Sequence, residues 1–420
     1  MSMFKKSFIV VGIQATGIIL GFLSIYFIAG DMEPVMYSLV GVYNVLSTFL
    51  GSFTDLGIET AMSRQALYWV EKGETERIKE YASQALVSRV IGTCVFLPFL
   101  IGYIFYLCLI KYNGDYLNLL FLMLLGSTIS SINNSMALIV RAKGGYIFWQ
   151  AATTLNNYFL KFVGIGLYFA SGPTAYLYFY SLSSIPLLFV FYLKIRKDID
   201  TKYFVIRKIV RKIYDNRYLW LKTDLDYFKA NADGLLVSAL FPADIMGSYS
   251  LYKNFENISK SFIEGFFDVL TQSMVRFKGN AEKLKQLERK IKLARALCVV
   301  LALSAATVFM INEFFFVELL HLSRYEYIDL MILFVSIVSV AHLVGKYEIN
   351  MIGFFAPSRT IFKLSVWLFV ATVLSYLILV LQRNIMGVLY QRVFVFLINS
   401  IISIAAFYRR REDYFSNIYS

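Results

Sequence analysis

The stretch that decides the fold is KTDLDYFKANADGLLVSALFPADIMGSYSLYKNFENISKSFIEGFFDVLTQSM, residues 222–274. A turn at residues 241–244, which contains Pro242, divides it into two helices of membrane-spanning length. In the first helix Asp226, Lys229 and Asp233 follow at spacings of three and four, so they share one face. The second helix repeats the arrangement with a stripe made of Lys253, Glu256, Lys260 and Glu264. A charge at mid-bilayer costs at least about 2.5 to 3.5 kcal/mol, so the stripes predict a polar pathway inside the protein.

The composition of the whole chain predicts an integral membrane protein. Of 420 residues, 58% are hydrophobic and only 16% are charged, and the mean hydropathy is +0.61. A soluble globular domain would carry about 25% charged residues. The three cysteines lie in apolar segments without ligand spacing, and the chain has only two histidines. We therefore expect neither disulfides nor a metal site.

Apolar segments of spanning length recur along the whole chain and predict an all-α membrane protein with about 12 transmembrane helices. The predicted spans are 8–30, 35–64, 84–110, 117–140, 146–171, 173–193, 222–241, 245–274, 291–315, 328–355, 360–381 and 387–408. A basic connection, residues 198–221, separates an N-terminal six-helix bundle (1–197) from a C-terminal one with a short basic tail (222–420). Both an interfacial amphipathic helix on anionic lipid heads and a solvated loop fit this connection.

Lysine and arginine are concentrated in alternate connections and at both ends of the chain, which has 41 Lys and Arg against 28 Asp and Glu. The positive-inside rule therefore predicts that both termini are cytoplasmic. Much of the formal net charge of +13 is explained by this topology. Nucleic-acid binding is not expected, because the basic residues flank spans and no soluble domain organises them.

Polar stripes on the predicted spans supply the candidate site residues and favour an interior lined by spans 1, 2, 4, 5, 7, 8 and 10, with the remaining spans facing lipid. Candidate anion-binding cations are Lys161, Lys229, Lys253, Lys260 and Lys346. Candidate acids that balance charge or couple to a proton or sodium ion are Asp55, Glu59, Asp226, Asp233, Glu256 and Glu264. Uncharged polar or titratable candidates are Asn44, Asn134, Asn157, His342 and Asn350, and candidates for a cytoplasmic gate are Arg64, Arg89 and Arg141.

Each stripe also has a purely structural interpretation. Polar side chains join membrane helices by hydrogen bonds worth about 0.6 kcal/mol each on average. Glu256 and Lys260 are four residues apart and can pair within their own helix. Asp55 and Glu59 can pair with Arg64 or Arg89, while arginines near the interface can snorkel.

The run NADGLLVSALFPADIMGSYSLYKNF, residues 231–255, resembles the polysaccharide transporters. These are the O-antigen, or lipid-linked oligosaccharide, flippase family of the multidrug/oligosaccharidyl-lipid/polysaccharide exporter superfamily. The shared pattern is an Asn- and Asp-containing helix, a short turn, a glycine and a Tyr-rich helix. It is carried here by Asn231, Asp233, Gly247, Tyr249 and Tyr252. The segment DLGIETAMSRQ, residues 55–65, is also similar to that family.

The resemblance implies two six-helix bundles that form a V around a central cavity. It also implies transport of a polyprenyl-pyrophosphate-linked oligosaccharide from the cytoplasmic to the outer leaflet of a bacterial cytoplasmic membrane by alternating access. The expected partners are this lipid-linked substrate, membrane lipids and polysaccharide-assembly proteins. No cofactor beyond a coupling proton or sodium ion is expected, and the sequence has no Gly-rich nucleotide-binding loop.

Three alternatives stay open at this point. A cation-coupled multidrug antiporter of the same superfamily would share the fold but favours acidic and aromatic groups over several mid-span lysines. A membrane glycan polymerase or ligase would need a sizeable outer loop, and the longest predicted outer connection spans only about residues 316–327. A purely structural membrane scaffold would gain nothing from the buried charges.

Overall fold

The computed structural model describes residues 3–276, 281–311, 317–379 and 384–410, and every regular element in these ranges is helical. The α-helices with defined bounds, numbered here in chain order, are α1 (Met3–Ser24), α2 (Pro34–Phe53), α3 (Ile58–Glu71), α4 (Thr75–Lys111), α5 (Leu117–Ala142), α6 (Tyr146–Ser181), α7 (Ile185–Ile195), α8 (Ile206–Asp215), α9 (Arg217–Leu240), α10 (Ala243–Arg276), α11 (Ala281–Ile311), α12 (Ile328–Phe355), α13 (Ser358–Leu379) and α14 (Ile385–Arg409). A π-helical turn, Ile25–Ala29, extends α1. The predicted all-α fold class is confirmed.

Seven helical segments of the described ranges are long and apolar enough to cross a membrane. They comprise α2, α4, α5, α6 with α7, α12, α13 and α14. The charged stripes of α9 and α10 lie inside two of the other predicted spans. The count of twelve spans therefore stays a prediction.

Packing divides the chain into two compact units, which we call unit A and unit B. Unit A is Phe27–Ser250, and unit B combines Met1–Tyr26 with Leu251–Ser420. The boundary falls within α10, so the first residues of that helix pack with the N-terminal half of the chain. The division of the chain into bundles 1–197 and 222–420 stays a prediction.

Within unit A, the chain breaks between α2 and α3, where the sequence predicts one continuous helix over 35–64. Leu56 and Gly57 adopt left-handed backbone conformations, with φ of +50° and +80°. The Asp55 carboxylate accepts a hydrogen bond of 2.9 Å from the Glu59 amide and so caps the start of α3. A β-carbon at Gly57 would lie 2.8 Å from the carbonyl oxygen of Asn216, so only glycine lets this turn approach α9 so closely. The prediction of an unbroken helix is wrong because capping and close packing outweigh the continuing apolar pattern.

Helix α6 is a helical hairpin that reverses at Gly172, whose φ is +82° and which precedes Pro173. The two arms pack side by side. Gly164 lies against the Tyr176 ring, and the Asn156 amide donates to the Ser183 carbonyl at 3.3 Å. The predicted break between the spans 146–171 and 173–193 is therefore confirmed, but the second span is itself interrupted at residues 182–184, between the end of α6 and the start of α7.

Within unit B, α12 and α14 pack closely at small residues. A β-carbon at Gly345 would lie 2.6 Å from the Ser400 hydroxyl, which itself donates to the Ala341 carbonyl at 2.6 Å. Helix α14 also buries a polar face, formed by Gln391, Arg392, Asn399, Ser400 and Ser403. The prediction that the last span simply faces lipid is therefore wrong, since one of its faces is a polar packing surface.

Candidate functional site

In unit A, a buried ion pair joins α3 to α4. The Arg89 Nε donates to Glu59 Oε1 at 2.7 Å, its Nη2 contacts Glu59 Oε2, and both residues are 2% exposed. The Arg89 Nη1 also donates to the Gly51 carbonyl at 2.7 Å and the Leu50 carbonyl at 3.1 Å. Both carbonyls belong to the last turn of α2; the Leu50 carbonyl also accepts from the Thr54 amide, whereas the Asp55 amide bonds Ser52 rather than Gly51 because the helix ends there. The pair thus completes the broken helix, while the predicted roles of Glu59 in coupling and Arg89 in gating stay predictions.

The other predicted arginines and Asp55 lie at the same end of unit A. Asp55 is buried as the cap of α3. Arg141 is half-buried, and its guanidinium lies 4.5 Å from the centre of the Trp149 ring. Arg64 is half-buried on α3. The predicted position of Arg141 near the cytoplasmic interface stays a prediction.

Helix α9 holds one carboxylate between two lysines. Asp226 Oδ2 lies 2.7 Å from the Lys222 ammonium, and its Oδ1 lies 2.9 Å from the Lys229 ammonium. Asp226 and Lys229 pair because they share one face of the helix, as their spacing predicts. One turn beyond Lys229, Asp233 is fully buried and accepts a hydrogen bond from the Tyr249 hydroxyl on α10.

Lys161 occupies a different environment on the first arm of α6. It is half-buried, and within the described part of the chain it makes no ion pair or hydrogen bond. Asn157, one turn earlier, is exposed. Asn134 on α5 is exposed as well, whereas its neighbour Asn133 is buried and donates to the Ser184 carbonyl at 2.5 Å.

A ladder of tyrosines in unit A was not predicted, because the sequence offers no rule that separates it from ordinary aromatic packing. Tyr180 packs at 5.1 Å, between ring centroids, against Tyr43 and donates to the side-chain oxygen of Asn44 at 3.4 Å. One turn earlier on the second arm of α6, Tyr176 packs against Tyr180 and against Tyr168 of the first arm. The ladder places aromatic faces next to hydroxyl and amide groups in the interior of this unit.

In unit B, Glu256 on α10 is fully buried and is surrounded by three cations. The Arg392 guanidinium binds both carboxylate oxygens at 2.5 Å, Lys260 contacts Oε1, and the Lys253 ammonium lies 3.8 Å from Oε2. The Lys260 ammonium also lies 4.2 Å from the centre of the Phe396 ring. The pair of Glu256 with Lys260 was expected from their spacing, but Arg392 was missed. Its signal was the polar pair Gln391–Arg392, which contains the one charged residue between the ends of the predicted span 387–408.

A second buried pair in unit B was also missed. Arg295 Nη1 on α11 lies 2.8 Å from each carboxylate oxygen of Glu348 on α12, and Glu348 is fully buried. Arg295 is the fifteenth residue of α11, as Arg89 is the fifteenth residue of α4. The two helices open similarly, with TERIKE and AEKLKQ. Alignment of these two openings would have singled out Arg295 from the sequence.

The remaining candidates lie on α12 and α10. His342 is half-buried and packs edge to face against Phe396, with 5.6 Å between ring centroids. Lys346 and Asn350 are half-buried on the same helix. The side chain of Glu264 lies outside the described part of the structure. Among the described residues, no group of three or more His, Cys, Asp or Glu is placed to hold a metal ion.

No protein-family model matches the sequence, and no curated protein matches it. Solved structures of MATE transporters do match over nearly the whole chain. An inward-facing multidrug resistance MATE transporter of the MOP superfamily has a TM-score of 0.65 at 16% identity, covering 98% of this chain and 99% of that one. A mutant of a MATE protein has a TM-score of 0.68 at 14% identity, covering 99% of this chain and 96% of that one.

A MOP superfamily transporter from Pyrococcus furiosus is also similar, with a TM-score of 0.67 at 14% identity, covering 100% of this chain and 96% of that one. Its binding pocket is described as having reverse polarity, which suggests a different function for that protein. At this level of identity the likenesses establish the fold alone. The chain has the MATE fold of two six-helix bundles, which confirms the predicted fold class. The predicted flippase family is not established.

Proposed function

We propose that this protein is a membrane transporter that carries a polyprenyl-pyrophosphate-linked oligosaccharide across a bacterial cytoplasmic membrane by alternating access. One observation carries the proposal: two carboxylates of the charged stripes, Asp226 and Glu256, are each held by more than one cation. Asp226 lies between two lysines, and Glu256 contacts two lysines and an arginine. Lys161 adds a half-buried cation whose charge no described side chain balances. Such a set favours an anionic cargo over a cationic one.

The chemistry of this cargo suits the side chains that the two units supply. A pyrophosphate concentrates negative charge, and lysines in a low-dielectric setting offer it strong charge-assisted hydrogen bonds. Sugar hydroxyls need amide and hydroxyl partners and aromatic faces, which the tyrosine ladder with Asn44 can provide. The lipid tail can stay in the bilayer while the head crosses, so no bond has to break.

Alternating access is supported by the fold, because similar MATE structures were solved in inward-facing and outward-facing conformations. The solved neighbours are transporters rather than enzymes, so the polymerase or ligase alternative has no support from them. Ion coupling belongs to the proposal as well. Asp233, which is fully buried and hydrogen-bonded to Tyr249, is the carboxylate best placed to exchange a proton or sodium ion.

The decisive test is transport of a fluorescent polyprenyl-pyrophosphate oligosaccharide in proteoliposomes, together with its binding to the purified protein. Lys161→Gln is the sharpest variant, because it removes a cation without leaving a partner unpaired. A charge-assisted hydrogen bond is worth about 1.5–3 kcal/mol, so we expect its loss to weaken binding at least about tenfold. Lys197→Gln, at an exposed position just before the basic connection, is the matched control and should bind normally. Equal binding by both variants would remove Lys161 from the site.

A second candidate, a cation-coupled multidrug antiporter, is favoured by the likeness to multidrug resistance MATE structures. A ligand that binds only the folded state raises its apparent melting temperature, so a thermal-shift panel can compare the glycolipid with organic cations. Stabilisation by cations alone would reject the flippase proposal. It would also turn attention to Asp226 and Asp233 as cargo-binding groups.

A further inference from the structure

Helix α8, within the basic connection, has one apolar face, of which only the inner edge is buried. At that edge Ile209 is fully buried against Ile58 and Ala85 and attaches the helix to unit A. The rest of the apolar face, called here the outer face, carries Ile206, Val210 and Tyr214 at spacings of four, and these are 66%, 57% and 64% exposed. Exposure of three large apolar side chains in one row to water is unfavourable. We therefore expect this face to be covered by an apolar partner.

The same outer face is basic. Arg207 and Arg211 are exposed beside the apolar row, each one residue beyond an apolar member. Arg217 follows at the start of α9, and its guanidinium lies 4.3 Å from the centre of the Tyr214 ring. An apolar row bordered by arginines fits a surface that is both apolar and negatively charged.

The inner face of the connection is clamped to the first turns of α4, which fixes the direction of the outer face. The Lys212 ammonium lies 2.9 Å from the Glu80 carboxylate and 3.4 Å from the centre of the Tyr81 ring. The Asp200 amide donates to the Ser83 hydroxyl at 2.9 Å. The Asp200 carboxylate itself accepts hydrogen bonds from the backbone amide and the ammonium of Lys202, which lower its pKa.

Neighbouring residues place α8 at the level of lipid headgroups. At the same end of unit A, Arg141 lies over Trp149 at 4.5 Å, and the Lys194 ammonium lies 5.0 Å from the centre of the Phe148 ring. Aromatic and basic residues collect at membrane–water interfaces. Because α8 lies between the end of α7 and the start of α9, it belongs to the same layer.

We infer that the outer face of α8 is a binding surface for anionic phospholipids. Ile206, Val210 and Tyr214 enter the boundary between headgroups and acyl chains, while Arg207 and Arg211 bind the headgroup phosphates. This surface is separate from the proposed cargo path and does not depend on which cargo is carried. It assigns the connection a lipid partner and decides between the two interpretations that the sequence leaves open.

The test uses a bimane fluorophore on Val210→Cys, in full-length protein whose three native cysteines are replaced by alanine. The protein is reconstituted into vesicles that contain phosphatidylglycerol or phosphatidylcholine with a nitroxide on the acyl chain. We expect strong quenching by both lipids and a preference of about 30-fold for phosphatidylglycerol, since the two surface arginines contribute about 1 kcal/mol each. Bimane on Asp215→Cys, on the same helix but away from the apolar row, should be quenched weakly.

The double variant Arg207→Gln with Arg211→Gln should keep the quenching and lose the preference for phosphatidylglycerol. Because both arginines are exposed, its melting temperature should match that of the parent protein, which verifies folding. Absence of quenching at residue 210 would overturn the inference and leave the surface to a soluble partner. Equal quenching by the two lipids in the parent protein would overturn the anionic part. Neither result bears on glycolipid transport, so this inference and the proposed function fail independently.

Discussion

Arg89 and Glu59 depend on each other, because both charges are buried and the arginine also closes the end of α2. Loss of one partner from a buried ion pair leaves an uncompensated charge and destabilises a protein by about 3–5 kcal/mol. We therefore expect Arg89→Gln and Glu59→Gln each to lower the apparent melting temperature of the detergent-purified protein sharply. The double variant should be less damaging than the sum of the two.

Arg77→Gln is the control for this experiment, since Arg77 is 63% exposed in its pair with Glu74. Exposed pairs contribute at most about 1 kcal/mol, so the control should melt close to the parent protein. Similar melting of Arg89→Gln and Arg77→Gln would contradict the buried-pair interpretation.

At Arg392 the geometry of the side chain matters as well as its charge. Arg392 binds both oxygens of Glu256, and a lysine could contact only one of them at a time. Because Lys260 and Lys253 still balance Glu256, we expect Arg392→Gln to destabilise the protein by about 1.5–3 kcal/mol, the loss of hydrogen bonds to a charged group, and Arg392→Lys by a clearly smaller amount. Thermal unfolding of the two variants side by side measures the difference. Equal losses of stability in Arg392→Gln and Arg392→Lys would mean that a positive charge at this position does not stabilise the protein without the guanidinium geometry.

Among single residues, the sequence predicts contacts within one helix and misses contacts between distant helices. Asp226 with Lys229 and Glu256 with Lys260 were predictable because spacings of three and four bring side chains together. Arg392 meets Glu256 only through the packing of α14 on α10, for which the sequence contains no local rule. The roles of the candidate residues in transport remain predictions at this scale.

Among the elements, the turn between α2 and α3 depends on Gly57. Its positive φ disfavours any side chain by about 1–2 kcal/mol, and a β-carbon would also lie 2.9 Å from the Trp220 amide nitrogen. Gly73 has a similar φ of +71° but open space around it. We expect Gly73→Ala to lose only about 1 kcal/mol and Gly57→Ala clearly more, as measured by melting temperature. Matching losses would show that the contact with α9 adds nothing.

Hydropathy predicted the helices well and their breaks unevenly. The hairpin of α6 was predictable because Gly172 and Pro173 interrupt the apolar run. The break at residues 54–57 was not, since apolar and polar residues keep their helical spacing through it. A cap, two left-handed residues and a close contact decide that break, and only the glycine among them is visible in the sequence.

For the whole molecule, the distribution of basic residues predicts an orientation that labelling can test. Glu326 and Lys197 are exposed and lie in connections predicted on opposite sides of the membrane. In a background without native cysteines, Glu326→Cys should react with a membrane-impermeant maleimide in intact spheroplasts. Lys197→Cys should react only after the membrane is opened. The reverse pattern would invert the predicted topology and place both termini outside.

At this scale the class and the fold followed from composition and span pattern, because the bilayer permits few architectures. The cargo could not be predicted in the same way, because its chemistry depends on a few charged side chains whose partners are set by helix packing. MATE-fold structures with opposite pocket polarity illustrate how little the architecture restricts that choice.

The single-residue reversal at Gly172 also has a consequence for biosynthesis. A loop of ordinary length lets two spans enter the membrane one after the other, each held by polar residues outside. Here the second arm begins where the first one ends, so we expect the two arms to insert together as a helical hairpin. If synthesis stopped within the second arm, the first arm would lack the helix that it packs against. In the folded protein, a turn this short also offers a protease or an antibody almost no accessible backbone to bind.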